Sequence, residues 1–312
     1  MRNAFADEVT NLAAGDPTVV LLSGDIGNRL FDKLRAQSPN QFLNCGIAEA
    51  NMMGVAAGMA SAGLSPIVYT ITPFTTTRCL EQIRVDVAYH NVPVVIVGTG
   101  SGLSYASLGP THHSLEDFAI FRAIPHMQIV APYDAPSLRA VLRDAIASKK
   151  PTYIRIGKKG EKDVVPGMPA VGMYKTLTAR EGRDVCILAV GTIAGDAVSA
   201  ADTLKQDHGI SPEVVLFNTV KPLDTALLDK LCAKFKTIVT VEEHSKIGGF
   251  GESIASLMAQ KGLRNRIIVL GTRDEFMHVV GSQEYARTVY EIDAPSIVKA
   301  VRQAVSSAAA AE

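Results

Sequence analysis

An alternation along the chain constrains its fold more than any other feature. Short runs of β-branched and other apolar residues recur, and each is followed by a longer stretch with helical spacing. In the first half the runs fall at 19–22, 66–71, 92–97, 128–131 and 152–156, with helices predicted at 47–62, 77–89, 115–122 and 135–148. Near-continuous apolar runs suit strands covered on both faces, and the strand-then-helix order favours parallel pairing. From 157 to 182 the pattern breaks into charged, Gly- and Pro-bearing sequence without a sustained period. A second series then begins, with runs at 185–190, 213–217, 237–241 and 266–270. The expectation is an α/β protein of two three-layer α/β/α domains with mostly parallel sheets. The first spans 1–160, a linker 161–182 and the second 183–312. A chain of 312 residues can bury a core in each, and the absence of a fixed short period excludes a solenoid.

Charge narrows the partners. Thirty-one basic residues balance thirty-one acidic ones with no long run of either sign, which leaves no electrostatic footprint for nucleic acid or an anionic membrane. The four cysteines, Cys45, Cys79, Cys186 and Cys232, lack C-x-x-C spacing and read as reduced packing residues. The first residues contain no apolar h-region, and no stretch reaches the length of a membrane span. The alanine-rich end, 308–311, reads as a fraying helix or tail. A cytoplasmic protein acting on a small molecule is the expectation.

The most informative stretch is 42–60, FLNCGIAEANMMGVAAGMA. A single carboxylate, Glu49, sits at the start of an otherwise uncharged helix. Such an acid can simply favour the positive end of its own helix. Its surroundings point further. F-x-x-x-G-I-A-E is followed in order by S-P-I-V-Y-T-I-T-P-F, E-Q-I-R-V-D-V-A, G-P-T-H-H and R-A-I-P-H-M, and later by K-P-L-D at 221–224 and V-E-E-H-S-K-I-G-G-F-G at 241–251. This ordered set resembles the pyrimidine-binding module and C-terminal domain of transketolases, and also the related 1-deoxyxylulose-5-phosphate synthases and, more loosely, 2-oxoacid dehydrogenase β subunits.

The resemblance implies roles. Glu49 matches the glutamate that hydrogen-bonds N1′ of the aminopyrimidine of thiamine diphosphate and promotes the tautomer that deprotonates the thiazolium. Phe74 matches the aromatic ring stacked on the pyrimidine, and Asp25 a cofactor-proximal aspartate. His112, in L-G-P-T-H-H, matches a histidine at the reacting end of the donor sugar, where an imidazole can donate to a developing oxyanion. His113 replaces a glutamine of many relatives. Arg155, in T-Y-I-R-I-G, matches an arginine gripping the substrate's terminal phosphate, for which a guanidinium fork is well suited. Arg2 and, with a one-residue shift, Arg78 match further phosphate-binding arginines. Leu108 stands where sugar-phosphate transketolases carry an acid that reads a substrate hydroxyl, which a leucine cannot do.

The chain has no G-D-G with a following Asn-bearing segment, through which the family holds the diphosphate and its Mg2+. Met1 stands directly before the pyrimidine module, so the expectation is one subunit of a split enzyme. It would be inactive until paired with an N-terminal diphosphate-binding subunit that holds most of the diphosphate and metal, in an α2β2 assembly with a homodimeric contact through this chain. Gly248, Gly249 and Gly251 would allow close backbone approach or make a tight strand-to-helix turn. The implied reaction is transfer of a two-carbon ketol unit from a ketose phosphate, or similar anionic ketose, to an aldehyde. The alternatives are another thiamine-dependent carboligation or decarboxylation, or a subunit that has kept the fold without turnover.

Overall fold

In the computed structural model, residues 1–309 are described apart from 28 and 159, so the expectation for the alanine-rich end falls partly outside the described residues. Among the described residues twelve strands occur in chain order: β1 (Val19–Ser23), β2 (Phe42–Asn44), β3 (Ser65–Ile71), β4 (Val95–Thr99), β5 (Gln128–Val130), β6 (Thr152–Ile156), β7 (Thr176–Arg180), β8 (Val185–Val190), β9 (Pro212–Phe217), β10 (Thr219–Lys221), β11 (Thr237–Ser245) and β12 (Arg266–Thr272). They form two sheets, ordered β10-β5-β6-β4-β3-β1-β2 and β12-β11-β8-β9-β7. Every pairing is parallel except β10 with β5 and β7 with β9.

The apolar runs are buried on both faces because successive side chains of a strand point in opposite directions. Val19, Leu21, Ile67, Tyr69, Val95, Val97, Ile154 and Ile156 pack against Phe5, Val9, Leu138 and Val141 of the helices Arg2–Gly15 and Ala135–Ser148. Their neighbours Val20, Leu22, Val68, Ile96 and Tyr153 pack the other face against Met52, Met53 and Ala56 of the helix Glu49–Ser61. That second core continues without a break into the other sheet, through Cys186, Leu188, Val215, Phe217 and Ile238.

Three segments depart from the sequence expectation. The stretch 161–182, expected as a connection alone, contains β7, whose Thr-Leu-Thr-Ala-Arg alternation forms an antiparallel edge against β9. β10 belongs to the second half of the chain yet completes the first sheet, pairing Thr219 with Val130. A single helix over 77–89 is replaced by a 3₁₀ turn at Thr77–Cys79, one α turn at Leu80–Gln82 and a π-helix at Ile83–Tyr89. Among the described residues no helix is long and apolar enough to cross a membrane.

Candidate active site

β1, β3, β4 and β6 lie together in parallel, so the loops leaving their carboxyl ends share one edge of the sheet, where open parallel sheets bind ligands. Asp25 follows β1, Glu49 follows β2, Phe74 and Arg78 follow β3, Leu108 and His112 lie in the loop after β4, and Lys158 follows β6.

Glu49 is the first residue of its helix and is only 7% exposed. Arg78 Nη1 donates to Glu49 Oε1 at 2.9 Å, and the same guanidinium lies 4.1 Å above the centroid of Phe74. Phe74 meets His112 edge to face at 5.4 Å, and His112 meets Tyr105 in the same way at 5.8 Å. Lys158 Nζ closes the series, 4.7 Å from the Tyr105 ring centroid. One continuous line of contacts thus runs from a shielded carboxylate, past an aromatic face and an imidazole, to a cation.

Local sequence explains how these groups are held. After β3 the T-P-F-T-T-T run turns back on itself: Thr75 and Thr76 hydroxyls donate to the Thr72 carbonyl, and the Thr72 hydroxyl donates to that of Thr99. Burial, helped by the Glu49 charge, pushes the Cys79 thiol up to about 12, so it stays protonated and donates to the Phe74 carbonyl. In the next loop Gly100 has φ +82°, and a Cβ there would lie 1.9 Å from the Tyr105 ring, so glycine is required for the ring to pack. Thr111 Oγ1 lies 2.9 Å from His112 Nδ1.

The remaining predicted residues stand differently. Asp25 is exposed and accepts from Asn44 Nδ2 at 3.1 Å. Half-buried Arg2 lies close enough to Tyr69 and Tyr105 for its charge to draw their phenols down against the larger upward push of burial. Leu108 ends a 3₁₀ turn and is 51% exposed at the rim. His113 is buried, and burial holds its imidazole below the usual range.

Two of the predicted arginines are held by other groups of the protein. Arg155 does not reach the site: it shares the strand face of Tyr153, turned toward the second sheet, and is 4% exposed. Its guanidinium donates to the carbonyls of Ser114 and Glu243, lies 3.4 Å from Asp117 Oδ1, and stacks 4.5 Å above Phe118. Arg78 is engaged with Glu49 and Phe74 rather than standing free as an anion ligand. Sequence reasoning overlooked Lys158 and Tyr105. The available signal was position, because Lys158 lies beyond the end of β6, whereas Arg155 lies within it. A cavity of about 560 Å³ beside the π-helix is walled by Arg84, Val85, Tyr89, Ile124 and His126 and includes none of the predicted site residues. Among the described residues no three His, Cys, Asp or Glu side chains gather as a metal site.

The chain belongs to the transketolase family, whose members are thiamine-dependent transferases. Residues 1–160 match the family described as transketolase, pyrimidine binding domain, and residues 174–303 match transketolase, C-terminal domain. The chain is 33% identical over 300 residues to a subunit of the apulose-4-phosphate transketolase of Phocaeicola vulgatus, covering 96% of this chain and 95% of that one. It is 34% identical over 307 residues to the 1-deoxy-D-xylulose-5-phosphate synthase of Chlorobium phaeovibrioides, covering 96% of this chain but 47% of the synthase. Among solved structures, one described as a split gene transketolase, inactive beta4 tetramer, superposes with a TM-score of 0.87 at 32% identity, covering 98% of this chain and 97% of that chain.

Proposed function

We propose that this chain is the subunit of a split transketolase that receives the pyrimidine end of thiamine diphosphate. With a partner it would transfer a two-carbon ketol unit from a ketose phosphate, or a similar anionic ketose, to an aldehyde. The observation that carries this reading is the line of contacts from Glu49 through Phe74 and His112 to Lys158. The near identity in length with a relative named as a transketolase subunit supports the split arrangement.

The residues present fit the pyrimidine end: a shielded carboxylate accepts from a nitrogen donor, and a half-buried ring offers a face already covered by a flat cation. Bound there, thiamine diphosphate would supply a carbanion and an electron sink for chemistry beside a carbonyl. Glu49 exchanges Arg78 for a pyrimidine nitrogen and shares a proton with it. Phe74 stacks, and Arg78 swings aside. His112 donates to the substrate oxygen on which negative charge develops. Lys158, in place of Arg155, meets the anionic end of the sugar, with Arg2 behind Tyr105 adding to the positive potential and Asp25 at the rim beside the cofactor. The diphosphate and Mg2+ fall mainly to a partner of the N-terminal, diphosphate-binding kind, in a cytoplasmic α2β2 assembly that is active only when paired. The site module is 1–160, and the C-terminal domain begins with β7.

Leu108 favours a second reading, a carboligation of the deoxyxylulose-synthase type, because no acid stands there to read a sugar hydroxyl. Pyruvate as donor in place of a ketose phosphate separates the two. Glu49→Gln tests the site itself: the amide keeps the shape but cannot share the proton, so the reconstituted enzyme should fold normally and lose activity by about a hundredfold or more. Turnover within about tenfold of the wild type would overturn the assignment.

A further inference from the structure

The loop between β4 and the helix Asp117–Ala123 carries Tyr105, Leu108 and His112, yet its anchors lie in the other domain. Its apolar residues Leu103, Ala106 and Leu115 belong to the core of the second sheet, packed with Ile187, Val239, Val241 and Met277. Its polar ties to that domain run to β11, chiefly to Glu243. Leu103 N donates to Glu243 Oε2 at 3.2 Å, and the Glu243 carbonyl accepts from Arg155, which also holds the Ser114 carbonyl at 3.0 Å. Two residues along β11, Ser245 N donates to the Leu115 carbonyl at 2.8 Å.

The carboxylate of Glu243 is itself held. Gln283 Nε2 donates to it at 2.9 Å and reaches Ser104 Oγ at 3.3 Å, and Arg287 pairs with Glu243 while bonding Asp196 at 2.7 Å. Gly102 shows how closely the two domains meet. It has φ +55°, and a Cβ there would lie 2.4 Å from Glu243 Oε2 and 2.7 Å from Arg155 Nη2. Leu103 and Leu115, toward the two ends of the loop, are thus tied to the C-terminal domain, while Tyr105 and His112 between them join the line of contacts at the site.

We infer that the C-terminal domain positions the substrate loop, with Glu243 as the positioning residue that sets where His112 stands relative to Phe74. Glu243 touches neither substrate nor cofactor; it acts through the backbone of Leu103 and through Gln283. Glu49 and Phe74 lie on other elements and do not depend on this clamp. The inference rests on the reading that His112 meets the substrate.

The test uses the enzyme reconstituted with its diphosphate-binding subunit and compares Glu243→Gln, the milder Gln283→Ala, and His112→Asn. Cofactor activation is read as hydrogen–deuterium exchange at C2, and substrate handling as kcat and KM for the donor. Glu243→Gln and Gln283→Ala are expected to lower kcat/KM for the donor about tenfold, the scale of one charge-assisted hydrogen bond, while C2 exchange stays within about twofold. Wild-type donor kinetics in both variants, alongside an impaired His112→Asn, would overturn the inference alone. Parallel loss of C2 exchange, turnover and thermal midpoint would overturn it too, because Glu243 would then hold the fold rather than the loop. Unaltered donor kinetics in His112→Asn would overturn the reading of the site and this inference with it.

Discussion

Arg155 and Lys158 are two cations three residues apart with opposite fates. The first lies within β6, where its side chain must enter a core and therefore needs Asp117, Ser114 and Glu243 as partners. The second has left the strand and places its ammonium over the Tyr105 ring. Their substitutions should separate cleanly. Lys158→Met is expected to raise KM for phosphorylated substrates by about ten- to a hundredfold and to spare unphosphorylated ones, measured with matched donor pairs. Arg155→Ala should instead lower stability by about 3–5 kcal/mol, because it strands Asp117 as a buried charge, and denaturant unfolding will show it. Equal loss of both substrate classes in Lys158→Met would remove that residue from the substrate.

At the scale of elements, helix 135–148 shows how local chemistry secures a face of the sheet on which the site stands. Asp134 accepts from Ser137 N at 2.9 Å, the Ser137 hydroxyl lies 3.1 Å from Asp134 N, and Pro136 sits in the first turn. The other oxygen of Asp134 accepts from Val164 N at 3.1 Å, so the cap also ties down the chain leaving β6. Asp134→Ala should cost about 1–2 kcal/mol of stability with little change in kcat, checked by unfolding and by turnover in parallel. The helix itself was legible in the sequence at 135–148. The three-part segment 77–89 was not, because its apolar spacing is compatible with any right-handed helical winding and only packing selects the wider turn.

At the scale of the whole molecule, the domain boundary is a site of buried charge. His244 of β11 stacks on Phe118 at 5.0 Å, and its Nε2 accepts from Phe118 N at 3.2 Å. Burial, opposed by Asp117 and reinforced by Arg155, draws its imidazole down to about 4. Beside it, burial pushes the Glu242 carboxyl up to about 7, although the Phe250 and Gly251 amides that it accepts from oppose the shift. The signs are opposite. Between pH 6.5 and 4 the unfolded chain binds a proton at His244 that the folded chain refuses, so stability falls as pH is lowered. Glu242 contributes stability present below about pH 4.5 that is lost as pH rises through 7. His244→Gln keeps an acceptor for Phe118 N and removes only the first effect. The stability of this variant relative to the wild type should therefore rise by about 3 kcal/mol from pH 6.5 to 4, measured by denaturant unfolding across that range. A constant difference would show that His244 does not titrate in the folded interface.

The sequence by itself determined the class of fold, because buried parallel strands demand apolar runs and the helices between them demand a helical period. Nine of the twelve strands stand where such runs predicted them, while β2, β7 and β10 went unread. Each of these is a short or edge strand, whose partner and not its composition makes it a strand. The ordered motifs singled out Glu49, Phe74 and His112, which follow β2, β3 and β4 in the chain. Tertiary structure alone decided which cation is buried between the sheets and which lies on Tyr105, because Arg155 and Lys158 differ in direction and not in charge. It also decided that the loop carrying His112 is anchored in the second domain. Glu243 is 140 residues from Leu103 in the chain, and only the packing of one sheet against the other brings a carboxylate at that distance to a single backbone amide.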